Sequence, residues 1–204
     1  MVNLIIFAIG VIIINVYDFD NTIYKGESFF DFYFFCAKHH PSLYRHSLVA
    51  VKCVLKYKMC LISEEGLMDI CKQYSRQFIR ECPDAAQLAE KFWEKNFRKI
   101  KSFYFDIKKP DDIIISASFN FLLEPCMKKL GIKNVVCTDV DLEKGEITRL
   151  CFRKNKKKLF DELYGGKMDN FYTDSLNDIP LLRCAENGYL VKGNKITKWS
   201  EKDA

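Results

Sequence analysis

The chain has 204 residues, of which 49% are hydrophobic and 29% are charged, and its formal net charge is +5. Its 17 Phe and 10 Tyr residues supply too much apolar surface for a disordered chain, so we expect one sizeable core with a smaller insert. A charge of +5 suits an anionic substrate, but without a clustered basic face it does not indicate nucleic-acid binding.

Two features bear on the compartment of the protein, its cysteines and its apolar N-terminus. The nine cysteines show no C-x-x-C spacing, so we interpret them as reduced, mostly core-filling thiols of a cytoplasmic protein. The run from Leu4 to Val16 is apolar apart from Asn15, but it is shorter than the roughly 20 residues that span a bilayer and lacks the flanks of a signal peptide. Its second half predicts a buried strand, whereas residues 1–8 fit an extra strand turn, a frayed start or a weak membrane anchor.

Apolar runs that alternate with helical stretches predict a parallel α/β sheet. The predicted strands are Ile12–Tyr17, Ile113–Ile115, Asn134–Thr138, Asn170–Thr173 and Gly188–Val191. The predicted helices between the later strands are Phe119–Leu130, Asn155–Tyr164 and Asn177–Glu186. The stretch Asp139–Phe152 alternates around Lys144-Gly145 and predicts a β-hairpin.

A long segment after the first strand interrupts this alternation. Residues 27–106 are rich in aromatic and basic residues, and the apolar spacing in 65–80 and 85–101 predicts helices. We therefore predict a helical cap domain at 27–106, inserted into an α/β core domain formed by residues 1–26 and 107–204.

Polar residues at the ends of four predicted strands form the candidate site, because α/β sheets bind their ligands at that edge. They are Asp18-x-Asp20-x-Thr22, Ser116, the lysines of 154–158 and Asp174-Ser175-x-x-Asp178. Converging carboxylates repel one another unless a divalent cation lies among them, and oxygen ligands without His or Cys indicate magnesium. In such a site one aspartate can attack phosphorus, a second can transfer the proton, and hydroxyl and ammonium groups can hold the phosphoryl oxygens.

The order D-x-D-x-T, strand-ending Ser, Lys and D-S-x-x-D resembles the haloacid dehalogenase (HAD) superfamily of phosphatases from about residue 12 onward. The resemblance implies a Rossmann-like three-layer α/β fold with a parallel sheet, carrying the inserted helical cap and the β-hairpin. It also implies a Mg²⁺-dependent phosphatase that hydrolyses a small phosphomonoester through an aspartyl-phosphate. The position of the cap, between the first and second motifs, is similar to that in the phosphoserine-phosphatase-like branch.

The resemblance assigns a role to each carboxylate. It implies that Asp18 is the nucleophile and Asp20 the general acid and base. It further implies that Asp18, the backbone carbonyl of Asp20 and Asp174 bind Mg²⁺, while Asp178 supports the ion through water or from behind these ligands.

The same resemblance gives Ser116 and one lysine as phosphate ligands. Ser116 is the first hydroxyl after the apolar run, and Ser118 is the alternative. For the lysine we choose Lys156, by its distance from the hairpin and from the apolar positions of the following helix, with Lys158 as the alternative. Thr22 is a further phosphate-binding candidate, or it caps the turn that follows.

Specificity is the least determined property of the chain. Glu27, nine residues after Asp18, occupies the place where phosphoserine phosphatases hold the substrate's amino group, and it is our specificity candidate. However, the second motif reads S-A-S-F rather than the S-G-G-F typical of those enzymes, and no arginine of the cap aligns with their carboxylate binder.

A phosphatidylglycerophosphate-type lipid phosphatase, a phosphotransferase and a non-catalytic phosphate-binding module are the alternatives. We expect no nucleic-acid partner, and membrane contact only through the apolar N-terminus; the sequence gives no oligomeric state.

Overall fold

The computed structural model of the protein describes residues 13–45 and 64–203, and its centre is a seven-stranded β-sheet. The strands are β1 (Asn15–Asp18), β2 (Ile113–Phe119), β3 (Asn134–Asp141), β4 (Glu146–Arg149), β5 (Met168–Thr173), β6 (Ala185–Lys192) and β7 (Lys195–Lys198). Across the sheet they follow the order β4-β3-β2-β1-β5-β6-β7.

Five neighbouring strands, β3, β2, β1, β5 and β6, run parallel, while β4 and β7 are antiparallel additions at the two edges. All four residues of the central strand β1 are buried, because it has a parallel neighbour on each side and covered faces. The predicted α/β class with a parallel sheet is therefore confirmed. β3 and β4 form a hairpin where the sequence predicts one, whereas β7 is not among the predicted strands.

Helices cover both faces of the sheet. They are α1 (Ser28–His39), α2 (Glu64–Glu81), α3 (Ala85–Asn96), α4 (Ser102–Ile107), α5 (Asn120–Leu130), α6 (Lys154–Tyr164) and α7 (Ile179–Leu182). Because successive side chains of a strand point to opposite faces, Tyr17 and Ile114 join one buried cluster with residues of the insert and α5. Val16 and Ile113 join a second cluster with Phe160 of α6. The protein thus has the predicted three layers.

Helices α1 to α4 lie between β1 and β2 in the chain, at the position of the predicted insert. Their aromatic side chains pack together, and the ring centroids of Phe32 on α1 and Phe92 on α3 are 5.5 Å apart. The insert also contacts the sheet-covering helix α5, since the indole N–H of Trp93 donates a 2.6 Å hydrogen bond to the carbonyl of Leu122. The division into a core domain and a cap domain at the predicted boundaries stays a prediction.

The structure differs from the sequence prediction for two helices, those at 177–186 and 85–101. The helix predicted at 177–186 is wrong, because a 3₁₀ turn at Leu176–Asp178 leads into the short α7, and Ala185 already pairs with β5 as the start of β6. The predicted helix at 85–101 is shorter as well. It ends at Asn96, whose side-chain amide donates to a backbone carbonyl of the last turn and competes with helix continuation.

The predictions for the N-terminal segment concern residues 1–10, which lie outside the described residues. The first strand, predicted from Ile12, is assigned from Asn15. Among the helices of the described ranges, none is both long and apolar enough to cross a membrane.

Candidate active site

The candidate active site lies at the carboxyl ends of three neighbouring strands of the sheet. Asp18 is the last residue of β1, Asp174 directly follows β5, and Ser116 is the middle residue of β2. Because β1 is parallel to both β2 and β5, the carboxyl ends of the three strands share this edge. The structure therefore brings together the motifs that are far apart in the sequence.

A buried lysine connects two of the carboxylates. Lys156 lies in the first turn of α6, and its Nζ is 2.6 Å from Asp18 Oδ1 and 3.3 Å from Asp178 Oδ2. All three side chains are buried, which strengthens the electrostatic attraction between them. The alternative lysine, Lys158, has a side chain that is 73% exposed. The structure thus places Lys156, and not Lys158, among the carboxylates.

The pKa values of the site reflect the burial of several acids together. Burial and, to a smaller extent, the nearby Asp178 raise the pKa of Asp18 to about 8 against the lowering effect of Lys156. Burial also raises the pKa values of Asp20 and Asp174. For Lys156, burial alone would lower the pKa, but the carboxylates of Asp18 and Asp178 raise it above its ordinary value, so the ammonium stays charged. The pocket therefore favours the binding of further positive charge.

Thr22 lies between two of the acids. Its hydroxyl is 3.3 Å from Asp18 Oδ2 and 3.4 Å from Asp174 Oδ1, and it accepts a 2.8 Å hydrogen bond from the backbone N–H of Asp174. These contacts hold the ends of β1 and β5 together at the site. Binding of phosphate by Thr22 stays a prediction, because in this structure its hydrogen bonds go to the aspartates.

Asp20 is held by the second motif and by the insert. Its Oδ1 accepts a 2.6 Å hydrogen bond from the backbone N–H of Ser28, the first residue of α1, where helix N–H groups lack partners within the helix. Its Oδ2 accepts from Ser118 Oγ at 3.0 Å, while Ser116 Oγ lies farther away, at 3.5 Å. The hydroxyls of Ser28 and Ser118 also contact each other at 2.7 Å.

Two of these partners of Asp20 correct or extend the sequence analysis. The sequence predicts that Ser116 directly follows the strand Ile113–Ile115. In the structure Ser116 lies inside β2, which continues to Phe119. Alternation along a strand of that length places Ser116 and Ser118 on one face, and this signal indicates that both hydroxyls reach the site. Ser28 belongs to none of the motifs. Its contact with Asp20 depends on where the three-dimensional structure places the first turn of α1, so no sequence pattern indicates it.

Two residues line the connection between β1 and the insert. Asn21 donates a 2.8 Å hydrogen bond to Oε1 of Glu27, the specificity candidate, which is exposed beside the site. Lys101, which sequence analysis did not single out, donates from Nζ to the backbone carbonyl of Asn21. Burial lowers the pKa of Lys101, while the charge of Asp174 opposes that shift, so a second cation lies near the acids.

The parallel α/β sheet thus gathers aspartates and a lysine at the carboxyl ends of its strands, as the four sequence motifs predict. The family model of haloacid dehalogenase-like hydrolases matches residues 16–183, and the chain belongs to this family. It is therefore a hydrolase, and the family prediction is confirmed. No curated protein matches the chain in sequence.

Solved structures with similar folds include a protein of unknown function from Bordetella pertussis Tohama I, with a TM-score of 0.66 and 18% identity over 86% of this chain and 87% of that chain. A phosphoserine phosphohydrolase-like protein from Francisella tularensis has a TM-score of 0.54 and 15% identity, over 87% and 86% of the two chains. A probable phosphoserine phosphatase from Vibrio cholerae has a TM-score of 0.53 and 11% identity, over 86% of this chain and 55% of that chain. At these identities the similarity concerns the fold, and it confirms the predicted likeness to phosphoserine-phosphatase-like proteins.

Proposed function

We propose that this hydrolase is a Mg²⁺-dependent phosphatase that acts on a small phosphomonoester through an aspartyl-phosphate. The observation that carries the proposal is the clustering of the buried Asp18 and Lys156 with the half-buried Asp174 at the carboxyl ends of the strands. Membership of the HAD hydrolases and the fold shared with phosphoserine-phosphatase-like proteins support it.

The donor atoms of the pocket fit a magnesium ion. Mg²⁺ prefers oxygen ligands and takes one or two carboxylates, with waters and substrate phosphate completing its shell. Asp18, Asp174 and the backbone carbonyl of Asp20 would hold the ion. Asp178 would support it from behind, because Lys156 and the hydroxyl of Thr173 already bind its Oδ2, the latter at 3.0 Å. When bound, the ion would supply positive charge against which phosphoryl oxygens are polarised.

The side chains divide the remaining chemistry among themselves. A carboxylate oxygen of Asp18 would form a bond to phosphorus while the bond from phosphorus to the ester oxygen breaks. Asp20, whose pKa is raised by burial, would give its proton to the departing oxygen and then take a proton from the water that cleaves the aspartyl-phosphate. Lys156 and Ser116 would hold the phosphoryl oxygens and offset their negative charge.

A screen of phosphorylated compounds tests the proposed function. Release of inorganic phosphate is measured for p-nitrophenyl phosphate, phosphoserine, phosphorylated sugars and phosphatidylglycerophosphate in mixed micelles, with Mg²⁺ or with EDTA. We expect release that requires Mg²⁺. Transfer of the phosphoryl group to an added alcohol would indicate a phosphotransferase, and turnover of the lipid alone would indicate a lipid-phosphate phosphatase. Lack of turnover of every compound would indicate a non-catalytic phosphate-binding module.

The burial of the acids predicts how Mg²⁺ stabilises the protein at different pH values. Because burial raises the pKa values of Asp18, Asp20 and Asp174, the folded state binds protons more tightly than the unfolded state. The protonated acids therefore contribute to folding stability. This contribution is fully present below the pKa that the carboxyls have in the unfolded chain, and it is lost as the pH rises through their pKa in the folded protein, which is about 8 for Asp18. Mg²⁺ and protons compete for the same carboxylates, so the gain in Tm on adding Mg²⁺ should be larger at pH 8 than at pH 6, by at least about 3 °C.

Thermal unfolding at the two pH values, in EDTA and in Mg²⁺, measures this difference. Equal stabilisation by Mg²⁺ at both values would contradict a cation site built from these acids. Ca²⁺ in place of Mg²⁺ controls for the size preference of the site.

The contact between Ser118 and Asp20 predicts a change in the pH profile. Ser118→Ala removes a hydrogen bond that favours the charged form of Asp20, so the pKa of this acid should rise further and the alkaline limb of kcat should move to higher pH. We expect kcat at neutral pH to fall about tenfold, because the orientation of the acid is less restricted. The matched control is Ser102→Ala at an exposed position of α4, and an unshifted pH profile in Ser118→Ala would exclude Ser118 as a positioning residue.

A further inference from the structure

A second cluster of chemically reactive side chains lies within the helical insert. It joins the C-terminal end of α1, where His40 follows the last helical residue, to the turn between α2 and α3, which carries Cys82 and Asp84. His40 Nε2 is 2.6 Å from Asp84 Oδ1, and Cys82 Sγ is 3.8 Å from the same oxygen. One ligand atom from each of these three residues lies within 4.8 Å of the other two.

Cys36 adds a second buried thiol beside this group of three residues. It precedes His40 by four positions, and the backbone N–H of His40 donates a 2.8 Å hydrogen bond to the Cys36 carbonyl at the end of α1. Interaction with the Cys82 thiol, followed by burial and by the nearby Asp84 carboxylate, raises the pKa of the Cys36 thiol. Both thiols are fully buried, and neither forms a disulfide.

The direction of the Asp84 side chain is the second observation. Asp84 directly precedes α3, and an aspartate at this position usually accepts a hydrogen bond from the first turn of the helix. Here its side chain makes no such capping bond. Its carboxylate contacts His40 and Cys82 instead, so the side chain of Asp84 belongs to the cluster and does not cap α3.

The donor set differs in kind from that of the active site. Two thiols, one imidazole and one carboxylate are the ligand types of tetrahedral zinc sites, and thiolates select against Mg²⁺. Around a zinc ion with bonds of about 2.0 to 2.3 Å, neighbouring ligand atoms are about 3.3 to 3.8 Å apart. The distance from Cys82 Sγ to Asp84 Oδ1 is already 3.8 Å, whereas that from His40 to Asp84, at 2.6 Å, would have to open by less than one ångström.

From this geometry we propose that Cys36, His40, Cys82 and Asp84 form a structural binding site for Zn²⁺ or a similar thiophilic cation. The ion would join the end of α1 to the turn between α2 and α3 and so stabilise the helical insert. The site is accessible from solvent, because the side chains of His40 and Asp84 are 28% and 47% exposed while the thiols lie beneath them. The proposal is independent of the phosphatase reaction, since none of the four residues belongs to the active site.

Cobalt binding tests the proposal with a readout other than activity. The full-length protein is freed of metal, kept reduced with a phosphine and saturated with Mg²⁺, and is then titrated with Co²⁺. We expect one equivalent of Co²⁺ to produce the absorption bands of thiolate-bound, tetrahedral cobalt. Excess Zn²⁺ should abolish these bands, and Zn²⁺ alone should raise the Tm of the metal-free protein.

The chain offers matched controls for these measurements. Cys36→Ser and Cys82→Ser should lose the thiolate bands, whereas Cys126→Ser, an equally buried thiol on α5, should keep them. His40→Gln should weaken Co²⁺ binding at least about tenfold, while His39→Gln at the neighbouring position should not. His40 is partly exposed, so His40→Gln provides a test even if the cysteine variants fail to fold.

Two results would overturn the proposal. The first is a wild-type protein that shows no thiolate bands at any Co²⁺ concentration, because the contacts of His40 and Asp84 would then be only those of an ion pair beside core thiols. The second is Co²⁺ binding with unchanged affinity in His40→Gln, since the metal would then be held elsewhere in the chain.

Discussion

Replacement of Asp18 by Asn is expected to lower phosphate release by at least about 10³-fold while the protein stays folded. An amide of the same size is a poor nucleophile and cannot form the acyl phosphate that the proposed reaction requires. The fold should tolerate the change better than loss of Lys156, because Asp178 remains beside the Lys156 ammonium and burial disfavours the charged form of Asp18. The measurement is kcat for p-nitrophenyl phosphate at saturating Mg²⁺, together with far-ultraviolet circular dichroism.

Asp106→Asn is the matched control for this variant, because Asp106 is an exposed aspartate on α4. It should retain wild-type kcat. Rapid quenching of the wild-type enzyme should also yield a protein that carries one phosphoryl group, and Asp18→Asn should not. An Asp18→Asn enzyme within tenfold of wild type would remove Asp18 from the nucleophile role.

The second large effect is expected for Lys156→Met. This change leaves Asp18 and Asp178 buried without their shared cation, and breaking a buried ion pair in this way costs about 3 to 5 kcal/mol of folding free energy. In addition, kcat should fall at least about 10²-fold, because a charge that offsets the phosphoryl oxygens is lost. Urea denaturation and steady-state kinetics measure the two effects separately.

Lys158→Met, two residues farther along the same helix, is the control for this variant. Its side chain is largely exposed and pairs with Glu162 at 3.9 Å, so its removal should change stability by less than about 0.5 kcal/mol. If Lys156→Met fails to fold at neutral pH, Lys156→Arg keeps the charge but alters its shape, and we expect a folded enzyme with reduced kcat. Equal activity of the Met variants at 156 and 158 would contradict the assignment of the lysine.

The parts of the fold that could be predicted are those determined by the local spacing of apolar and polar residues. β1 lies at the end of a long apolar run, and the hairpin of β3 and β4 alternates around a glycine turn. The helices α2 and α3 of the insert repeat their apolar residues with helical spacing. The aspartates of the candidate site were identifiable for a similar reason. Each follows a predicted strand, and parallel strands end at the same edge of their sheet.

The parts that could not be predicted depend on residues distant in the chain. The helix predicted after Asn177 is cut short because the segment from Ala185 pairs with β5, and no pattern within the segment reveals that pairing. Ser28 and Lys101 reach the loop after β1 only because the insert folds back over the sheet. The sulfur, imidazole and carboxylate cluster is equally hidden, since its two halves come from different helices and lack the usual C-x-x-C spacing.

The hydrogen bond from Trp93 to the carbonyl of Leu122 bears on how a substrate can reach the pocket. Both groups are buried, so separating α3 from α5 would leave a donor and an acceptor without partners in apolar surroundings, at a cost of about 1 to 3 kcal/mol for each. A substrate that entered by separation of the insert from α5 would therefore have to overcome this cost. Selection for new substrates should accordingly leave Trp93 unchanged, because its contact fixes the insert on the core.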